Sequence, residues 1–565
     1  MSAEHTLLKR IQALREIPLF RELPEEVVAS LAARMQRRRY PQGAVVFRQG
    51  DIGDAMYIVE TGQVAVLSEE TGEVLAYLGP GSFVGEIALL LEQPRSATLR
   101  VIIDAELLSL HKQDFDALLA EHPHLALHMT REIGQRLVRT SHQSAPPRKK
   151  PVTAIWGIDE QALAQFAEAV AHYAGASAAL VTLPSTRNIP RLPEYYTKTA
   201  DKPVAVLVSL NIDDYEPQTF TDAVSRLLEE YGHVLLLLPD QWTPVAQKSV
   251  QLADHVVSIG GAPTWLTLHG NRDLAIITND KRDILHTARV VTERQVGVAL
   301  SSGGSKTLAH IGVLRVLERE GVPIDMLAGT SGGAFVAAFY ALGYTPDELA
   351  EFVKTLPKVN TWRNWDINLP PTSGLIKGHK AYQLLEAWFE GKTFTDTRIP
   401  LYIVAADLAT GEEIIFERGS LAHAVRASVS IPVIADPWRY QERFFVDGAV
   451  VNPLPVSVLR ERGANIVIGS SVVHTETDPD LPSFEKKPNL LQTISRLINT
   501  VERKIITKQI EMADVFIHPH VFADHSLDFS QVDRLVELGE QAAEAELETI
   551  RTALQREHIL PPPQI

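Results

Sequence analysis

The run IDMLAGTSGGAFVAAFYALG, Ile324–Gly343, joins an apolar strand to a helix through the turn G-T-S-G-G. A strand-to-helix turn this tight leaves no room for side chains beside the serine, so glycine is required at Gly329 and Gly333. The turn exposes the hydroxyl of Ser331 at the start of the helix. Any fold for this part of the chain must therefore place a strand directly against the helix that follows it.

Strand-like and helix-like runs alternate over two stretches of the chain, which is typical of α/β layer domains. The first, 152–294, is expected to hold a mostly parallel sheet with helices over Asp159–Ala174 and Phe220–Tyr231, and it carries no recognisable motif. The second, 295–555, contains the serine turn and ends in a helix over about Phe529–Leu554. Its strand-like runs are VGVALSS, IDMLAG, LYIVAAD, EEIIFE, FFVDG, ANIVIGSSV and ADVFIHP.

The first third of the chain has a different pattern, in which glycines separate short strand-like runs such as VVFRQ, MYIVE, QVAVL and EVLAYL. Regular turns between such runs predict an antiparallel β-roll. From Asp114 to Ser141 apolar residues recur at near-helical spacing, and Pro123 divides this segment into two helices. The roll and its C-terminal helices occupy 11–141, and the polar segment 142–151 is typical of a linker. The sequence thus predicts a multidomain protein.

Composition excludes several classes of function. The chain has 565 residues, with 54 basic and 70 acidic side chains and a net charge of −16. Nucleic-acid affinity depends mainly on Lys and Arg contacts to phosphate, so no nucleic-acid partner is expected. Without cysteine there is no disulfide and no thiolate metal site. Since neither a secretory signal nor 18 consecutive apolar residues occur, we expect a cytoplasmic protein that contacts membranes only peripherally, at their inner face.

A serine hydroxyl needs a base before it can act as a nucleophile at neutral pH. Asp447 in FFVDGAVVNPLP is the candidate, because it ends a strand and the following glycine leaves it free to point toward Ser331. An aspartate before glycine is also typical of a simple turn. Upstream, VGVALSSGGSKTLAHIGVLRVL is a strand, a glycine-rich loop and a helix. Backbone N–H groups of Gly303, Gly304 and Ser305 could there stabilise the oxyanion of an acyl-transfer intermediate.

The glycine loop, the G-x-S-x-G and the Asp-Gly occur in this order, with AADLATGEEIIF and ASVSIPVIADP between the last two. Over about Val296–Leu554 the chain resembles the patatin-like phospholipase family, and its arrangement resembles the neuropathy-target-esterase group of lysophospholipases. The resemblance implies a Ser331–Asp447 dyad that cleaves lipid or lysophospholipid esters through an acyl-enzyme, without histidine, metal or catalytic cofactor. It also implies an oxyanion hole at Gly303–Lys306, with Lys306 replacing the usual arginine.

Several alternatives stay open. Ser302 and Thr307 interrupt the family pattern of four glycines and restrict positive φ, so a catalytically silent signalling or lipid-binding protein is the alternative to a hydrolase. A dinucleotide site is the rival for the loop, but G-x-G-x-x-G is absent. We expect His310 to pack or hydrogen bond rather than act as a base. A Ser–Asp–His triad would need a later histidine, and four are available: His474, His518, His520 and His525.

The run FVGEIALLLEQPRSAT, Phe83–Thr98, combines groups that suit a phosphate and a sugar. Gly85 can present backbone N–H groups at the start of a short helix, where an anion is favoured. Arg95 offers a planar fork for two phosphate oxygens. Glu86 could accept a hydrogen bond from a ribose hydroxyl.

With the roll before it and helices after it, this run resembles a cyclic-nucleotide-binding domain, as does RQGDIGDAMYIVETGQV. The resemblance implies Glu86 on the ribose 2′-hydroxyl and Arg95 on the cyclic phosphate, helped by Gly85, Ser96 and Ala97. We expect cAMP rather than cGMP, acting as an effector of the hydrolase. The alternative is a structural Arg–Glu pair on a roll that binds no ligand. A transcription regulator is disfavoured, because a linker and an α/β domain follow where a recognition helix would be needed.

The segment NTWRNWDINLPPTSGLIKG, Asn360–Gly378, carries Trp362, Trp365 and Leu375 among turn-forming residues. We expect these side chains to pack in a core. The alternative is a loop at the membrane, because tryptophan favours membrane interfaces and an apolar loop could admit an acyl chain. The net charge of −16 opposes docking on an anionic bilayer. Any face that docks must therefore be locally basic or apolar.

Overall fold

The structure is a computed structural model with two compact units, Met1–Thr292 and Glu293–Ile565. It describes residues 24–122 (without 71, 73 and 92), 150–183, 186, 203–212, 217–269, 274–355, 366–368, 373–473, 490–521 and 531–560, together with Ile11, Leu14, Arg15 and Phe20. The second predicted helix after Pro123, most of the predicted linker 142–151, and Trp362 and Trp365 lie outside these residues.

An antiparallel sheet forms the first part of unit 1, as the turn spacing predicts. Its strands are β1 Gln36–Tyr40, β2 Val45–Phe47, β3 Ala55–Leu67, β4 Val74–Leu78, β5 Phe83–Val84 and β6 Thr98–His111. Strands β3 and β6 pair along most of their length, and each of the other four pairs with one of these two. Helices pack beside the roll around a core that includes Val28, Met56 and Phe115; they are α1 Glu25–Arg34, α2 Glu86–Leu91 and α3 Lys112–Glu121.

A six-stranded sheet in which every pair is parallel follows in the same unit. Its strands, in the spatial order β12-β11-β7-β10-β8-β9, are β7 Val152–Gly157, β8 Ala178–Thr182, β9 Ala205–Ser209, β10 His233–Leu237, β11 His255–Ile259 and β12 Leu274–Ile277. The accompanying helices are α4 Glu160–Ala174, α5 Pro217–Glu230, α6 Pro244–Leu252, α7 Thr264–His269 and α8 Lys281–Val291. The mostly parallel sheet expected for this stretch is therefore present.

The roll and the middle sheet share a hydrophobic cluster. Ile103 of β6 packs with Phe220 and Val224 of α5. Beside them, Lys248 Nζ of α6 lies 2.6 Å from Asp104 Oδ2. Strand β6 therefore belongs to the sheet of the roll and also contacts the helices of the middle domain.

Unit 2 is built on an eight-stranded, mostly parallel sheet with the order β19-β20-β16-β14-β13-β21-β22, in which β17 also pairs with β16. The strands are β13 Val296–Leu300, β14 Met326–Thr330, β16 Leu401–Asp407, β17 Glu413–Phe416, β19 Trp438–Tyr440, β20 Arg443–Asp447, β21 Ile466–Ser470 and β22 Val515–Ile517. A separate ribbon pairs β15 Gly374–Ile376 with β18 Val433–Ala435. Each of the seven strand-like runs predicted for this stretch overlaps one of these strands, and five of the runs contain theirs completely.

Helices cover both faces of this sheet. They are α9 Ala309–Arg319, α10 Gly332–Ala341, α11 Pro346–Lys354, α12 His379–Phe389, α13 Leu421–Ser428, α14 Val456–Glu461, α15 Leu490–Met512, α16 Val532–Ala545 and α17 Leu547–Arg556. The single final helix predicted from the sequence is wrong, because the chain forms two helices there. At Glu546 the N–H donates to Ala543 O, a tighter turn than the α-helix, and Ile550 and Leu554 are fully buried beyond it.

Two glycines bring the backbones of α9 and α16 into contact. A Cβ at Gly312 would lie 1.9 Å from Val536 O, and one at Gly539 would lie 1.8 Å from Ala309 O. We predict that Gly312→Ala lowers the free energy of unfolding of unit 2 by about 1–3 kcal/mol, since overpacking forces the helices apart. Chemical denaturation measures the change, with the exposed substitution Gln541→Ala on α16 as control. Equal stability of the two variants would contradict the prediction.

Candidate active site

Ser331 occupies a strained turn between β14 and α10. Its φ is 56° and its ψ is −124°, a conformation that residues with a side chain rarely adopt. A Cβ at Gly333 would lie 2.4 Å from the carbonyl oxygens of Leu300 and Ser301, and one at Gly329 would lie 2.7 Å from the backbone of Ala334. Both glycines are therefore needed for the close backbone contacts, as the sequence predicts.

A hydrogen-bonded serine holds this turn from the side. The Ser331 N–H donates to Ser428 Oγ at 2.8 Å, and Ser428 Oγ donates to Val404 O at 2.6 Å. Ser428 ends α13, while Val404 belongs to the strand beside β14. The sequence analysis did not identify Ser428 as a site residue, although ASVSIP contributed to the family resemblance.

The turn and the end of β20 bring Ser331 and Asp447 together. Ser331 Oγ donates a hydrogen bond to Asp447 Oδ2 at 2.7 Å, and the two residues are only 5% and 3% exposed. Asp447 Oδ1 accepts from the Ala449 N–H at 2.9 Å. The carboxylate is thus fixed by its own turn while its second oxygen faces the hydroxyl.

Burial raises the pKa of Asp447 to about 7, although the hydrogen bonds from Ala449 and Ser331 act in the opposite direction. Removal from water disfavours the charged carboxylate, which explains the sign of this shift. A carboxylate with a pKa near neutrality is a much stronger base than an ordinary aspartate. It is therefore suited to accept the proton of a serine hydroxyl.

A second buried carboxyl, Glu502 of α15, accompanies the dyad and was missed in the sequence analysis. It is 8% exposed, and α15 packs against the turn Gly448–Val450 that follows Asp447. Burial raises the pKa of Glu502 to about 8, the charge of Asp447 raises it further, and Arg503 and Lys306 oppose the shift. The raised pKa of Glu502 disfavours a second negative charge beside Asp447. No motif marks Glu502, because α15 has the sequence of an ordinary amphipathic helix.

The predicted oxyanion loop lies against the first turn of α10. A Cβ at Gly332 would lie 2.7 Å from Gly304 O, so only glycine permits this approach. Within the loop, positive φ occurs at Gly303 (148°) and Gly304 (59°), and not at Ser302 or Thr307. The serine and threonine that depart from the family pattern therefore stand where their backbones are unstrained. Ser305 is buried in the short 3₁₀ turn Gly304–Leu308.

Lys306 follows in the same turn and is half-buried. Burial lowers the pKa of Lys306, the nearby Arg496 lowers it further, and Glu502 raises it. The loop thus carries a cation whose electrostatic neighbours include the carboxyl that accompanies the dyad.

Buried Arg426 of α13 reinforces the backbone around Asp447. Its Nη1 donates to Ser430 Oγ at 2.5 Å and its Nε to Gly378 O at 3.0 Å. Ser430 O in turn accepts from the Asp447 N–H at 2.9 Å. One guanidinium therefore connects the start of α12 with the residue that holds the aspartate.

The histidines of the described residues lie apart from the dyad. His310 is fully buried, with Nδ1 2.9 Å from Ser470 Oγ and Nε2 3.2 Å from Ser301 O, and burial lowers its pKa to about 4. His518 Nδ1 lies 2.7 Å from Ser471 O, and its ring contacts that of His520. His474 and His525 lie outside the described residues. In the described part of the chain no histidine hydrogen-bonds to Ser331 or Asp447, so nothing there supports a triad.

In the roll, Arg95 is 3% exposed and its guanidinium lies over the Phe47 ring at 4.2 Å. Nη1 donates to Gly85 O at 3.0 Å and Nη2 to Ala55 O at 2.6 Å, while Nε has no hydrogen-bond partner among the described residues. Asp54 Oδ1 lies 3.6 Å away. This buried cation is bonded mainly to neutral carbonyls, an environment that an anion would complement.

The other residues predicted for this pocket surround Arg95 in different ways. Gly85 has a φ of 86°, and a Cβ there would lie 2.5 Å from Arg95 Nη1. Glu86 is 4% exposed in the first turn of α2, Ala97 is buried and Ser96 is exposed. The predicted nucleotide site thus combines a buried acid and a buried cation with a backbone turn that only glycine permits.

The described residues contain neither a metal-binding cluster nor a membrane-spanning helix. No group of three or more His, Asp or Glu there could hold a metal ion. None of the helices described has the length and apolar character to span a bilayer.

Two segments match known families. Residues 298–460 match the family "Patatin-like phospholipase", and residues 37–122 match "Cyclic nucleotide-binding domain". An uncharacterized NTE family protein of Mycobacterium tuberculosis is 26% identical over 95% of this chain and 96% of that protein. Patatin-like phospholipase domain-containing protein 6 of Homo sapiens is 22% identical over 89% of this chain. The match covers 44% of that protein, so this chain corresponds to less than half of its length.

Among solved structures, the catabolite activator protein of Thermus thermophilus is 35% identical, with 28% of this chain and 67% of that chain covered and a TM-score of 0.21. The family matches fall on the two stretches that hold the Arg95 pocket and the Ser331–Asp447 pair. The chain therefore combines an N-terminal cyclic nucleotide-binding domain with a patatin-like phospholipase domain, and it is similar to an NTE family protein over nearly all of its length.

Proposed function

We propose that the chain is a serine lipid acyl hydrolase, a phospholipase or lysophospholipase esterase, that a cyclic nucleotide regulates. The 2.7 Å hydrogen bond between Ser331 Oγ and Asp447 Oδ2 carries the proposal. The patatin-like match supports lipid esters as the substrate class. A silent lipid-binding protein would have no need of a strained serine bonded to an aspartate of raised pKa.

The proposed reaction has two halves. Ser331 Oγ attacks the ester carbonyl carbon while its proton passes to Asp447, and the N–H groups of Gly303–Ser305 stabilise the oxyanion. Lys306 adds positive charge to the same loop. Asp447 then returns the proton to the leaving alcohol, which departs and leaves an acyl-Ser331 ester. A water molecule gives a proton to Asp447, attacks the acyl-enzyme and releases the fatty acid as Ser331 recovers its hydrogen.

In this proposal residues 11–141 are the cyclic-nucleotide sensor, 142–151 the linker, 152–294 the α/β middle domain and 295–555 the hydrolase. In the sensor, Arg95 binds the cyclic phosphate with help from Gly85, Ser96 and Ala97, and Glu86 binds the ribose 2′-hydroxyl. The expected effector is cAMP rather than cGMP. The enzyme would work in the cytoplasm and contact the inner face of the membrane.

The dyad predicts the effects of two substitutions. Ser331→Ala and Asp447→Asn should each lower kcat for p-nitrophenyl butyrate by on the order of 10³-fold or more, because the nucleophile or its base is lost. The exposed Asp347→Asn is the matched control and should retain wild-type kcat. Circular dichroism checks the fold of each variant. A fluorophosphonate probe should label the wild type but not Ser331→Ala, whereas an unlabelled wild type would favour the silent protein.

The raised pKa of Asp447 predicts the pH dependence. A base works only when ionised, so kcat/KM should fall as the pH drops through about 7, where Asp447 becomes protonated. An aspartate of ordinary pKa would keep full activity down to about pH 5. Initial rates with an uncharged ester between pH 5 and 9 measure the profile. A lower limb near pH 4 would contradict the assignment of Asp447 as a buried base.

The Arg95 pocket predicts the effect on effector binding. Arg95→Lys replaces the planar fork with a point charge and should weaken cAMP binding by about tenfold or more, as measured by isothermal titration calorimetry. The exposed Arg100→Ala on β6 is the matched control and should bind like the wild type. If Arg95→Lys perturbs the roll, Glu86→Gln tests the ribose contact instead. Unchanged affinity in both pocket variants, or esterase activity that is flat across saturating cAMP and cGMP, would refute this part of the proposal.

A further inference from the structure

We propose that the outer face of α15 is the surface by which the hydrolase unit docks on an anionic lipid surface. The inference rests on the proposed function, since a lipid hydrolase must reach substrates that lie in a bilayer or micelle. The proposal identifies the part of the hydrolase unit that contacts the lipid surface. From the sequence, such contact was considered for the loop Asn360–Gly378.

Helix α15 lies directly beside the dyad. Its inner face carries Glu502, whose electrostatic neighbours are Asp447 and Lys306. One turn later Ile506 is fully buried in a cluster with Met326 and Leu454. The helix is therefore fixed on the protein by its inner face, so its outer face has a defined orientation next to the catalytic pair.

The outer face of α15 exposes several large apolar side chains to solvent. Leu497 is 63% exposed, Val501 48% and Met512 42%. Leu497 and Val501 are one turn apart on the same side of the helix, and exposed Lys504 and Lys508 follow on that side at helical spacing. Lysines among exposed aliphatic side chains are typical of a helix that lies in a membrane interface.

The charge of this face differs from that of the whole chain. The net charge of −16 would oppose approach to an anionic bilayer, so any docking face must be locally positive. On the exposed side of α15 two lysines, Lys504 and Lys508, outnumber one acid, Glu511. Each lysine near an anionic surface strengthens binding by about fivefold, so the pair contributes about 30-fold. An anionic lipid surface is thus the occupant that fits both the apolar and the basic side chains.

The arrangement favours a helix that lies on the bilayer and does not cross it. Although α15 has 23 residues, charged side chains occur along it and its inner face packs on the protein. Shallow insertion of Leu497 and Val501 would bring α15, the helix beside the dyad, to the depth of the lipid headgroups and ester bonds. Substrate could then enter without first leaving the bilayer for water.

Co-sedimentation with vesicles tests the surface on the full chain. The variants are Leu497→Ser/Val501→Ser, which removes apolar contact, and Lys504→Glu/Lys508→Glu, which reverses charge. Leu268→Ser, at a 72% exposed leucine of α7, is the matched control. Vesicles are phosphatidylcholine alone or with phosphatidylglycerol, and p-nitrophenyl butyrate reports the soluble-ester rate.

The wild type should bind phosphatidylglycerol vesicles more tightly than neutral ones. The apolar variant should lose at least tenfold in affinity for both vesicle types, while the charge variant should lose 30-fold or more for anionic vesicles only. All variants should keep the soluble-ester rate, which also shows that they are folded. If a double variant does not fold, Leu497→Ser and Lys508→Glu alone carry the test.

The proposal would be overturned if both α15 variants bound anionic vesicles with wild-type affinity. It would also be overturned if Leu268→Ser lost as much vesicle affinity as the α15 variants. Failure of the proposed function has a different signature: the wild type would neither hydrolyse the soluble ester nor react with a fluorophosphonate, whatever its binding to vesicles.

Discussion

The candidate active site depends on the backbone of Ser331, which is held at a φ of 56°. Such a conformation costs of order 1–3 kcal/mol and persists only where the surroundings impose it. Here they do so through Gly329 and Gly333, whose close backbone contacts no larger residue permits, and through the hydrogen bond to Ser428. The result is a hydroxyl that needs no rearrangement to meet Asp447. The stability of the sheet and helices is thus used to hold a local strain that positions the proposed nucleophile.

In the proposed mechanism, burial makes Asp447 basic enough to act on Ser331. A free aspartate has a pKa near 4 and a free histidine near 6.5. Burial raises the pKa of Asp447 to about 7, so this carboxylate is as basic as an imidazole and no histidine is needed beside it. Burial and the charge of Asp447 both raise the pKa of Glu502, so Glu502 stays protonated when Asp447 ionises. The site thereby avoids a second buried negative charge. Lys306, in the predicted oxyanion loop, is an electrostatic neighbour of Glu502. The described histidines can therefore lie elsewhere, as His310 does.

Site residues that belong to a short sequence motif could be predicted from the sequence. Site residues that meet only when distant segments pack together could not. Ser331, Gly329 and Gly333 follow from one strand-turn-helix run, and Asp447 from another, because glycine contacts and strand ends are properties of short segments. Glu502, Ser428 and Arg426 act only after segments far apart in the chain meet, and nothing in their own neighbourhoods distinguishes them. The break of the final helix at Glu546 was missed for the same reason, since the burial of Ile550 depends on tertiary packing. From the sequence, Ser302 and Thr307 were expected to disturb the glycine loop, because serine and threonine restrict positive φ. Only the backbone geometry shows that positive φ occurs at the neighbouring glycines and not at these two residues.

Strand β6 suggests how far an effector at Arg95 can act within unit 1. The strand begins at Thr98, three residues after Arg95, and its Ile103 and Asp104 contact the helices of the middle domain. Strand β6 thus connects the residues next to Arg95 with the contact to the middle domain. It can transmit a displacement between them only if it has two discrete arrangements. The size of any response is then limited by the difference in nucleotide affinity between them. A complete switch from 1:99 to 99:1 needs a difference of about 10⁴-fold. Arg95 is already buried and donates to Ala55 O and Gly85 O, so a phosphate that binds there would have to compete with these two carbonyls. Tight binding alone would shift nothing, because only a difference in affinity between the two arrangements moves the equilibrium.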